Sequence, residues 1–277
     1  MPGTLVLVPT PIGNLGDISP RAADALAAAD FIAAEDTRVS IKLLNHLEIK
    51  KPLVSYHEHN KQDSGRQILD RLLSGQSCAL VTDAGTPAIS DPGEDLVRLC
   101  AQNGVPVSAI PGPCAAITAL AVSGLPTGRF TFEGFLSVNK KSRREHLNSL
   151  LSEPRTMIFY EAPHKLRATL QDLLDAFGPT RHITLCRELT KLHEEILRMT
   201  LQEAVSFYTE NDPRGEYVLV VEGAVSTVSD TPTLEDCLDR IQQLRASGAS
   251  LKDAAKQVSR ESGIPRNTLY EAALSQN

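Results

Sequence analysis

The sequence predicts an α/β protein built from two α/β domains, followed by a small helical domain. Three observations lead to this prediction. Apolar runs of strand length alternate with helical patterns from residue 5 to residue 110, which is typical of a mainly parallel sheet. Strand-like runs then continue to residue 222 with shorter separations. Residues 234–277 contain helical patterns and no strand-like run.

Length and composition fit such a protein and disfavour several other classes. The chain has 277 residues, enough for two domains of about 100–200 residues, and a hydrophobic fraction of 42% suffices for buried cores. The net charge of −6 argues against a protein that binds nucleic acid with its whole surface. No apolar run approaches the roughly 20 residues of a membrane span, and the N-terminus lacks the basic start of a signal peptide. The five cysteines form no Cys-x-x-Cys pair, so we expect reduced thiols in a cytoplasmic protein.

The first α/β domain is predicted over residues 1–113. Its strands are continuous apolar runs, as expected for strands buried on both faces, at 5–8, 31–34, 52–55, 79–81 and 106–110. Ser19 and Pro20 supply a cap and a first helical residue after the first strand. Asp91 and Pro92 predict the same kind of start for a helix over 92–103, which ends at Gly104.

The second α/β domain is predicted over residues 114–225, and the helical domain over 234–277. Strand-like runs lie at 130–135, 155–160, 181–187, 194–199 and 216–222, with helices near 142–152, 163–176 and 201–210. A short polar stretch separates the third run from the fourth, which favours antiparallel pairing. A linker is predicted at 226–232. The helices predicted at 234–246, 251–261 and 265–274 have helix-turn-helix spacing, with Gly263 at the turn.

Four loops follow apolar strands and consist largely of glycine, proline and small residues, at 9–14, 83–93, 111–114 and 161–165. Such loops let the backbone approach a ligand closely, and open α/β sheets bind ligands beyond the carboxyl ends of their strands. None of the four matches the GxGxxG or P-loop patterns. Each loop by itself is also consistent with a tight turn. Together they predict a small-molecule site.

Two further clusters carry charge or metal-ligand chemistry. The strongest basic cluster opens a predicted helix and contains Lys140, Lys141, Arg143 and Arg144. These side chains are candidates for contacts to RNA phosphates, with a solvated charge run as the alternative. His57 and His59 alternate as metal ligands can, but no third and fourth ligand accompany them. We therefore expect polar loop residues there and no metal site.

Several motifs resemble those of a known enzyme family. They are VPTPIGNLGDISPRA, AAEDTR, LVTDAGTPAISDPG, PGPCAAITAL, FYEAPHKL, RELTK and GEYVLVVEG, and they occur in order within residues 4–223. On these motifs the chain is identified as a member of the tetrapyrrole-methylase-like superfamily, the class III methyltransferases. It resembles the branch that modifies small-subunit ribosomal RNA, whose helix-turn-helix appendix the tail also resembles.

The resemblance implies S-adenosylmethionine as methyl donor, bound between the two α/β domains of a homodimer. It implies as acceptor the 2′-hydroxyl of a cytidine in the decoding region of 16S rRNA, in the 30S subunit, with no DNA and no membrane as partner. Methylation of a tetrapyrrole or another small acceptor is an alternative, which the basic cluster and helical tail disfavour. A DNA-binding regulator that senses a small molecule is an alternative of another class. The acidic net charge disfavours it.

The resemblance also assigns the cofactor to named residues. They are Pro11, Ile12 and Gly13; Gly85, Thr86 and Pro87, with Ile89 against the adenosine; Cys114 and Ala115; and Tyr160. Thr86 stands where the superfamily has aspartate, and Cys114 where relatives often have serine. These two positions depart from the pattern.

Methyl transfer to a ribose hydroxyl needs alignment of the reacting atoms and benefits from a base and a nearby cation. The sequence offers the base among Glu35, Asp36 and Asp83, which follow buried strands, and Arg187 or Lys191 to orient the RNA backbone. For the first group, an ion pair with the neighbouring arginine is the structural alternative. A solvated charged face is the alternative for the second.

Overall fold

The computed structural model describes residues 1–224 and 234–275. Residues 1–223 form one compact unit, and residues from 224 onward form a second. The linker predicted at 226–232 lies outside the described residues. No described helix is both long enough and apolar enough to cross a membrane.

The first sheet is parallel throughout. Its strands, in the order β3-β2-β4-β1-β5, are β1 Leu5–Leu7, β2 Phe31–Ala34, β3 Leu53–Ser55, β4 Cys78–Val81 and β5 Val107–Ala109. The connecting helices are α1 Pro20–Ala28, α2 Thr37–His46, α3 Lys61–Leu73 and α4 Gly93–Gln102. A short 3₁₀ helix, Leu15–Asp17, precedes α1. The predicted parallel sheet is confirmed.

Alternating strand residues face two separate cores, because successive side chains of a strand point to opposite faces. On one face Leu5, Leu7 and Leu80 pack with Leu96 of α4 and Ile68 of α3. The opposite face has its own cluster, which includes Val8, Ala22, Leu26, Ile32 and Leu44 from the strands, α1 and α2. Strands β2 and β4 are buried on both faces, as their continuous apolar sequences predict, whereas β3 is half-buried and β5, at the edge of the sheet, is exposed against that prediction.

The order of the strands creates a switch point between β1 and β4. These strands are neighbours in the sheet, but the chain leaves β1 toward β2 on one side and leaves β4 toward β5 on the other. Because the helices that follow them, α1 and α4, lie on opposite faces of the sheet, the loops after β1 and β4 separate and open a crevice at the carboxyl ends of the strands, where α/β proteins bind ligands. The loop at 9–14 and the loop at 83–93 meet there.

The second sheet is mixed. In the order β6-β7-β10-β8-β9, its strands are β6 Phe130–Phe135, β7 Thr156–Glu161, β10 Tyr217–Val221, β8 His182–Arg187 and β9 Glu195–Thr200. The pair β6–β7 is parallel and the other pairs are antiparallel, which confirms the pairing predicted for β8 and β9. Helices α6 Lys140–Ser149, α7 Pro163–Phe177 and α8 Leu201–Glu210 pack on one face, and α5 Ala115–Ser123 packs on the other.

The second unit contains α9 Leu234–Ala246, α10 Leu251–Ser262 and α11 Arg266–Ser275. Its core includes Ile241, Ala254, Val258 and Leu269. Gly263 ends α10 with φ of 75°, in the left-handed region that glycine adopts without strain. The three predicted helices are confirmed. The domain boundary predicted at residue 113 lies between β5 and α5 and stays a prediction.

Candidate active site

A cavity of about 480 Å³ lies between the carboxyl edge of the first sheet and the second sheet. Volumes of roughly 300–1,000 Å³ are typical of small-ligand sites. Each of the four predicted loops contributes to its wall, through Ile12, Gly85, Cys114 and Glu161 among others. The loops that the sequence singled out separately therefore converge on one space.

The loops at the switch point are tied to one another by hydrogen bonds. Thr10 N–H donates to Gly85 O over 2.9 Å, and Gly85 N–H donates to Thr10 O over 3.0 Å. The Thr86 hydroxyl donates to Pro113 O over 2.8 Å, which joins the third loop to the second. Gly85 has φ of 89°, and a Cβ there would lie 3.3 Å from Cγ2 of Ile12. Glycine thus permits both the turn and the close packing at this position.

The loop that follows β4, residues 82–92, contains two non-glycine residues in the left-handed region. Ala88 has φ of 69° and Ser90 has φ of 67°. Oδ1 of Asp91 accepts hydrogen bonds from the N–H of Ala88 at 2.9 Å and of Gly93 at 2.7 Å, which stabilises this conformation. Burial raises the pKa of Asp91, although these bonds act in the opposite direction. The predicted start of the helix is corrected by one residue, because α4 begins at Gly93 and Pro92 takes the cap position.

Two of the three candidate bases line the cavity. Oε2 of Glu35 accepts a hydrogen bond from the Thr82 hydroxyl over 2.8 Å, and Oδ1 of Asp83 accepts one from the Asp36 N–H over 3.0 Å. Burial, and after it the nearby charge of Glu35, raises the pKa of the Asp83 carboxyl. A raised pKa makes a carboxylate a better proton acceptor near neutral pH.

Asp36 does not line the cavity. Its carboxylate caps α2 and binds Arg38 with two side-chain nitrogens, at 3.0 Å for Nε and 2.6 Å for Nη2. The hydrogen bonds from the Arg38 side chain and backbone lower the pKa of Asp36 to about 2. This is the ion pair that the sequence left open as an alternative, so the geometry favours a structural role for Asp36.

The opposite wall carries the cation. Nζ of Lys191 lies 2.9 Å from Oε1 of Glu188 and 2.8 Å from Oε2 of Glu216. Burial lowers the pKa of Lys191, but the two hydrogen bonds outweigh it and the net shift is upward. Lys191 lines the cavity, whereas Arg187 does not and pairs with Glu195 at 3.1 Å. The structure therefore brings one of the two predicted cations to the site.

The loop that follows β8, residues 188–194, again contains two non-glycine residues in the left-handed region. Glu188 has φ of 51° and Thr190 has φ of 65°. Glu188 Oε1 also accepts the Glu216 N–H at 2.9 Å, and Oε2 of Glu194 accepts the Thr190 N–H at 2.6 Å. Unusual backbone conformations of this kind are concentrated at ligand sites.

Seven of the ten predicted cofactor residues line the cavity, and three do not. The seven are Ile12, Gly85, Thr86, Ile89, Cys114, Ala115 and Tyr160. Pro11, Gly13 and Pro87 belong to the same loops but lie outside the wall. Gly13 packs against the opposite wall instead, since a Cβ there would lie 2.4 Å from Cγ of Lys191.

Tyr160 is held in the wall by both of its ends. Its hydroxyl accepts a hydrogen bond from Ala116 N–H over 3.2 Å, and its ring makes edge contacts with Phe132 and Phe135 at 5.0 and 5.5 Å. Burial raises its pKa to about 12, so the hydroxyl stays protonated at neutral pH. Tyr160 thereby connects α5 to β7 at the cavity.

The basic cluster is divided by the fold. Lys140, Lys141 and Arg144 are exposed on α6. Arg143 turns inward, with its side chain 13% exposed and its guanidinium bonded to Asp172 at 2.5 Å and to Thr169 at 2.8 Å. The geometry thus leaves three of the four predicted RNA contacts exposed to solvent, where the Lys141 ammonium lies 3.9 Å from Oε1 of the exposed Glu145.

Sequence reasoning missed wall residues that come from the second sheet. These are Phe135, Cys186, Leu189, Glu216, Tyr217 and Val218. A glycine inside a strand pattern often marks a bulge, and β6 does change register between Phe132 and Gly134, so Phe135 could have been found this way. Gly134 and Phe135 belong to β6, as the strand-like run at 130–135 predicts. Tyr217 carries no such signal, because its register opposite Glu161 of β7 brings it to the site.

Two family models match the chain. The model described as "Tetrapyrrole (Corrin/Porphyrin) Methylases" matches residues 4–205. The model described as "RsmI C-terminal HTH domain" matches residues 232–277. Together they cover both compact units.

Curated relatives match over nearly the whole chain. A protein of Synechocystis sp. named "Ribosomal RNA small subunit methyltransferase I" is 49% identical, with 98% of each chain covered. A protein of Halalkalibacterium halodurans with the same name is 49% identical, covering 97% of this chain and 93% of its own.

Solved structures share the fold at low identity. Diphthine synthase superimposes with a TM-score of 0.61 at 15% identity, covering 80% of this chain and 90% of its own. A uroporphyrin-III C-methyltransferase from Thermus thermophilus, complexed with S-adenosyl homocysteine, gives 0.54 at 17% identity, covering 79% and 97%.

Proposed function

The chain belongs to the ribosomal RNA small subunit methyltransferase I family of tetrapyrrole methylases, and from that premise we propose its reaction and substrate. The protein is a methyltransferase that uses S-adenosylmethionine and modifies ribosomal RNA. Its acceptor is the ribose 2′-hydroxyl of a cytidine in the decoding region of 16S rRNA, within the 30S subunit. The single observation that carries the assignment is the near full-length identity of 49% to relatives of that name.

The cavity fits S-adenosylmethionine in shape and in charge. Ile12, Ile89 and Tyr160 offer apolar surface for an adenosine, and Gly85 and Ala115 leave room for close contact with the backbone. Glu35, Asp83, Asp91 and Glu161 also line the cavity, and none of them forms an ion pair with any side chain that the structure describes. Such a wall favours a ligand that carries positive charge.

When bound, S-adenosylmethionine supplies a methyl group on a sulfonium, a carbon already activated for displacement. The protein's task is to align the acceptor oxygen with that carbon and to keep water away. The tied loops at 9–14, 83–93 and 111–114 provide a fixed wall for this alignment. Tyr160 supports them from the second sheet.

The acceptor hydroxyl must lose its proton during transfer, and a carboxylate within hydrogen-bond reach promotes this step. Glu35 and Asp83 are the candidates at the cavity, and the raised pKa of Asp83 supports it as the proton acceptor. Lys191 is the cation at this wall, and it stabilises negative charge that develops on the oxygen or contacts an RNA phosphate.

RNA approaches an otherwise acidic protein and needs a local attraction. The exposed side chains of Lys140, Lys141 and Arg144 on α6 supply it, because each phosphate contact releases bound counterions and adds salt-dependent affinity. Arg143 is occupied within the fold and does not belong to this surface.

The protein works in the cytoplasm as a homodimer. Phe130 and Phe132 on β6, an edge strand of the second sheet, are 38% and 36% exposed. Edge strands with exposed apolar side chains are normally covered, and a second copy of this chain is the cover proposed here. Light scattering of wild type and of Phe130→Glu tests this, with a monomer expected for the variant.

One assay tests the reaction and the acceptor together. Tritiated methyl groups from S-adenosylmethionine are offered to 30S subunits, free 16S rRNA, DNA and a porphyrinogen. Incorporation is expected in 30S subunits, at a cytidine ribose. Incorporation into the porphyrinogen and none into RNA would contradict the proposed acceptor. Asp83→Asn is expected to weaken binding of S-adenosylmethionine only modestly, since other carboxylates remain in the wall, and to lose most of this activity at saturating cofactor.

A further inference from the structure

A chain of hydrogen bonds connects the basic helix α6 to the wall of the cavity. Nη2 of Arg143 donates to the Thr169 hydroxyl over 2.8 Å, and that hydroxyl donates to Oε2 of Glu161. Oε1 of Glu161 accepts the N–H of Ala162 over 2.8 Å. Glu161 and Ala162 line the cavity together with Tyr160 and Pro163.

The direction of this chain is fixed by the chemistry of its members. A guanidinium can only donate hydrogen bonds, and a carboxylate can only accept them. The Thr169 hydroxyl has a single hydrogen, which Glu161 takes, so its oxygen is free to accept from Arg143. Thr169 is the element of the chain that no residue without a hydroxyl can replace.

Glu161 and Thr169 are buried, so the loss of a hydrogen bond from this hydrogen-bond chain is costly in free energy. Glu161 is 4% exposed and Thr169 is 1% exposed, so water has little access to replace a lost partner. Oε2 of Glu161 has Thr169 as its hydrogen-bond partner within residues 1–224. Loss of that bond would leave a buried carboxylate oxygen unsatisfied at the junction of β7 and α7, where the wall is formed.

We propose that Arg143 and Thr169 are positioning residues for the cofactor site and that Arg143 is not an RNA contact. They hold Glu161 and the Ala162 N–H in the conformation that completes the wall beside Tyr160. The cluster at 140–144 then serves two purposes, with Lys140, Lys141 and Arg144 facing RNA and Arg143 facing inward. The proposal rests on the proposed function, since the ligand it concerns is S-adenosylmethionine.

The test measures two quantities for each variant: affinity for S-adenosylmethionine by calorimetry, and the salt dependence of RNA binding. Arg143→Met is expected to weaken cofactor binding about tenfold and to leave the salt slope unchanged. The triple variant Lys140→Met, Lys141→Met and Arg144→Met is expected to lower the slope by about 2 and to leave cofactor affinity unchanged.

Two substitutions at Thr169 provide a matched pair of variants that tests the chain of hydrogen bonds. Thr169→Val removes the hydroxyl at nearly constant shape and is expected to weaken cofactor binding as Arg143→Met does, whereas Thr169→Ser retains wild-type affinity. The double variant Arg143→Met with Thr169→Val should be no weaker than either single variant, since both interrupt one chain. Asp172→Ala removes the other partner of Arg143 and, with thermal melting, controls for a loss of folding.

Unchanged cofactor affinity in Arg143→Met or Thr169→Val would overturn the proposal, as would a salt slope that falls in Arg143→Met. A wild-type protein that fails to bind S-adenosylmethionine would instead overturn the proposed function. The two failures are therefore distinguishable.

Discussion

The loop after β4 and the loop after β8 face one cavity from two sheets. They share an unusual backbone conformation, but different interactions stabilise it in each loop. Each holds two non-glycine residues at positive φ. In the β4 loop, two backbone N–H groups donate hydrogen bonds to the Asp91 carboxylate. Further hydrogen bonds join this loop to Thr10 and Pro113 of the neighbouring loops. The β8 loop is held largely by charge, through Lys191, Glu188 and Glu216. The cavity thus has one wall fixed by backbone bonds and one fixed by ion pairs.

The difference teaches how each wall responds to its surroundings. Hydrogen bonds to backbone groups are little affected by salt, whereas ion pairs near the surface are screened by it. Glu216 is 78% exposed at its side chain, so the bridge to Lys191 is open to screening. We expect the wall formed by the β4 loop to fix the position of the cofactor. The wall formed by the β8 loop should change with salt concentration.

The largest effect is expected from Asp91→Ala. The change removes the acceptor for Ala88 and Gly93 N–H together, so the left-handed residues lose their support. We expect a loss of about 2 kcal/mol in the free energy of unfolding and at least tenfold weaker binding of S-adenosylmethionine, measured by denaturation and calorimetry. Asp91→Asn keeps an acceptor oxygen and is the control, with a much smaller loss. Equal behaviour of the two variants would show that Asp91 does not hold the loop.

Gly13→Ala is expected to displace Lys191 in the β8 loop, because Gly13 packs directly against that side chain. Its Cβ would lie 2.4 Å from Cγ of Lys191, so the lysine must move and its pairs with Glu188 and Glu216 are disturbed. We expect several-fold slower methyl transfer at saturating RNA. Gly128→Ala is the control, because nothing lies within 4 Å of its added Cβ. If Gly13→Ala slows transfer as much in a Lys191→Ala background as in wild type, the effect does not pass through Lys191.

Glu188→Gln should distinguish the two loops by their response to salt. The variant weakens the bridge to Lys191, and in wild type added salt should do the same by screening. Amide hydrogen exchange is expected to speed up severalfold at residues 190–194 in high salt and to change little at residues 88–93. In Glu188→Gln the salt effect at 190–194 should shrink. Uniform acceleration of both loops would refute the division into two kinds of wall.

The smallest effect is expected on the pH dependence of stability, to which Asp91 in the β4 loop and Glu188 in the β8 loop should contribute with opposite signs. Burial raises the pKa of Asp91, so the folded protein holds its proton longer than the unfolded chain and this group's contribution to stability falls as pH rises above about 3.8. The pKa of Glu188 is lowered, chiefly by its hydrogen bond from Lys191, so its contribution is present above about 4.5 and is lost as pH falls through the lowered value. Urea unfolding between about pH 3.5 and 6 should show a more positive slope of stability with pH in Asp91→Asn and a less positive slope in Glu188→Gln. Slopes that match wild type would remove the electrostatic part of the comparison.

Strands β1, β2 and β4 could be predicted because they are continuous apolar runs whose residues are buried or half-buried at every position. Helix α5 could not be found by periodicity, since AAITALAVS is apolar or small on every side and has no polar face. Helix α2 begins at Thr37 after the cap residue Asp36, and an aspartate after a buried strand is equally typical of a helix cap and of a catalytic base, so the sequence does not distinguish the two roles. Asp36 is therefore a candidate base by sequence and a helix cap in the structure.

At the candidate site, the loops of the first domain were predictable and the wall from the second sheet was not. Loops after parallel strands gather at one edge of a sheet, so the meeting of Ile12, Gly85 and Cys114 follows from chain order. Tyr217 reaches the cavity because it lies opposite Glu161 in an antiparallel ladder, and that register depends on long-range pairing. The inward turn of Arg143 likewise depends on α7 lying beneath α6.

The cavity wall includes both Ile12 and Val218, residues from nearly opposite ends of the first compact unit. During synthesis the first sheet can assemble while the strand that carries Val218 is still inside the ribosome. The binding site is therefore completed late in synthesis. A nascent or truncated chain that lacks β10 lacks part of the cavity wall and cannot form the complete pocket. Once complete, occupancy by the methyl donor at about one hundred times its dissociation constant would add about 2.7 kcal/mol to the folded state. At such an occupancy, depletion of the donor would lower the enzyme's resistance to proteolysis as well as its rate.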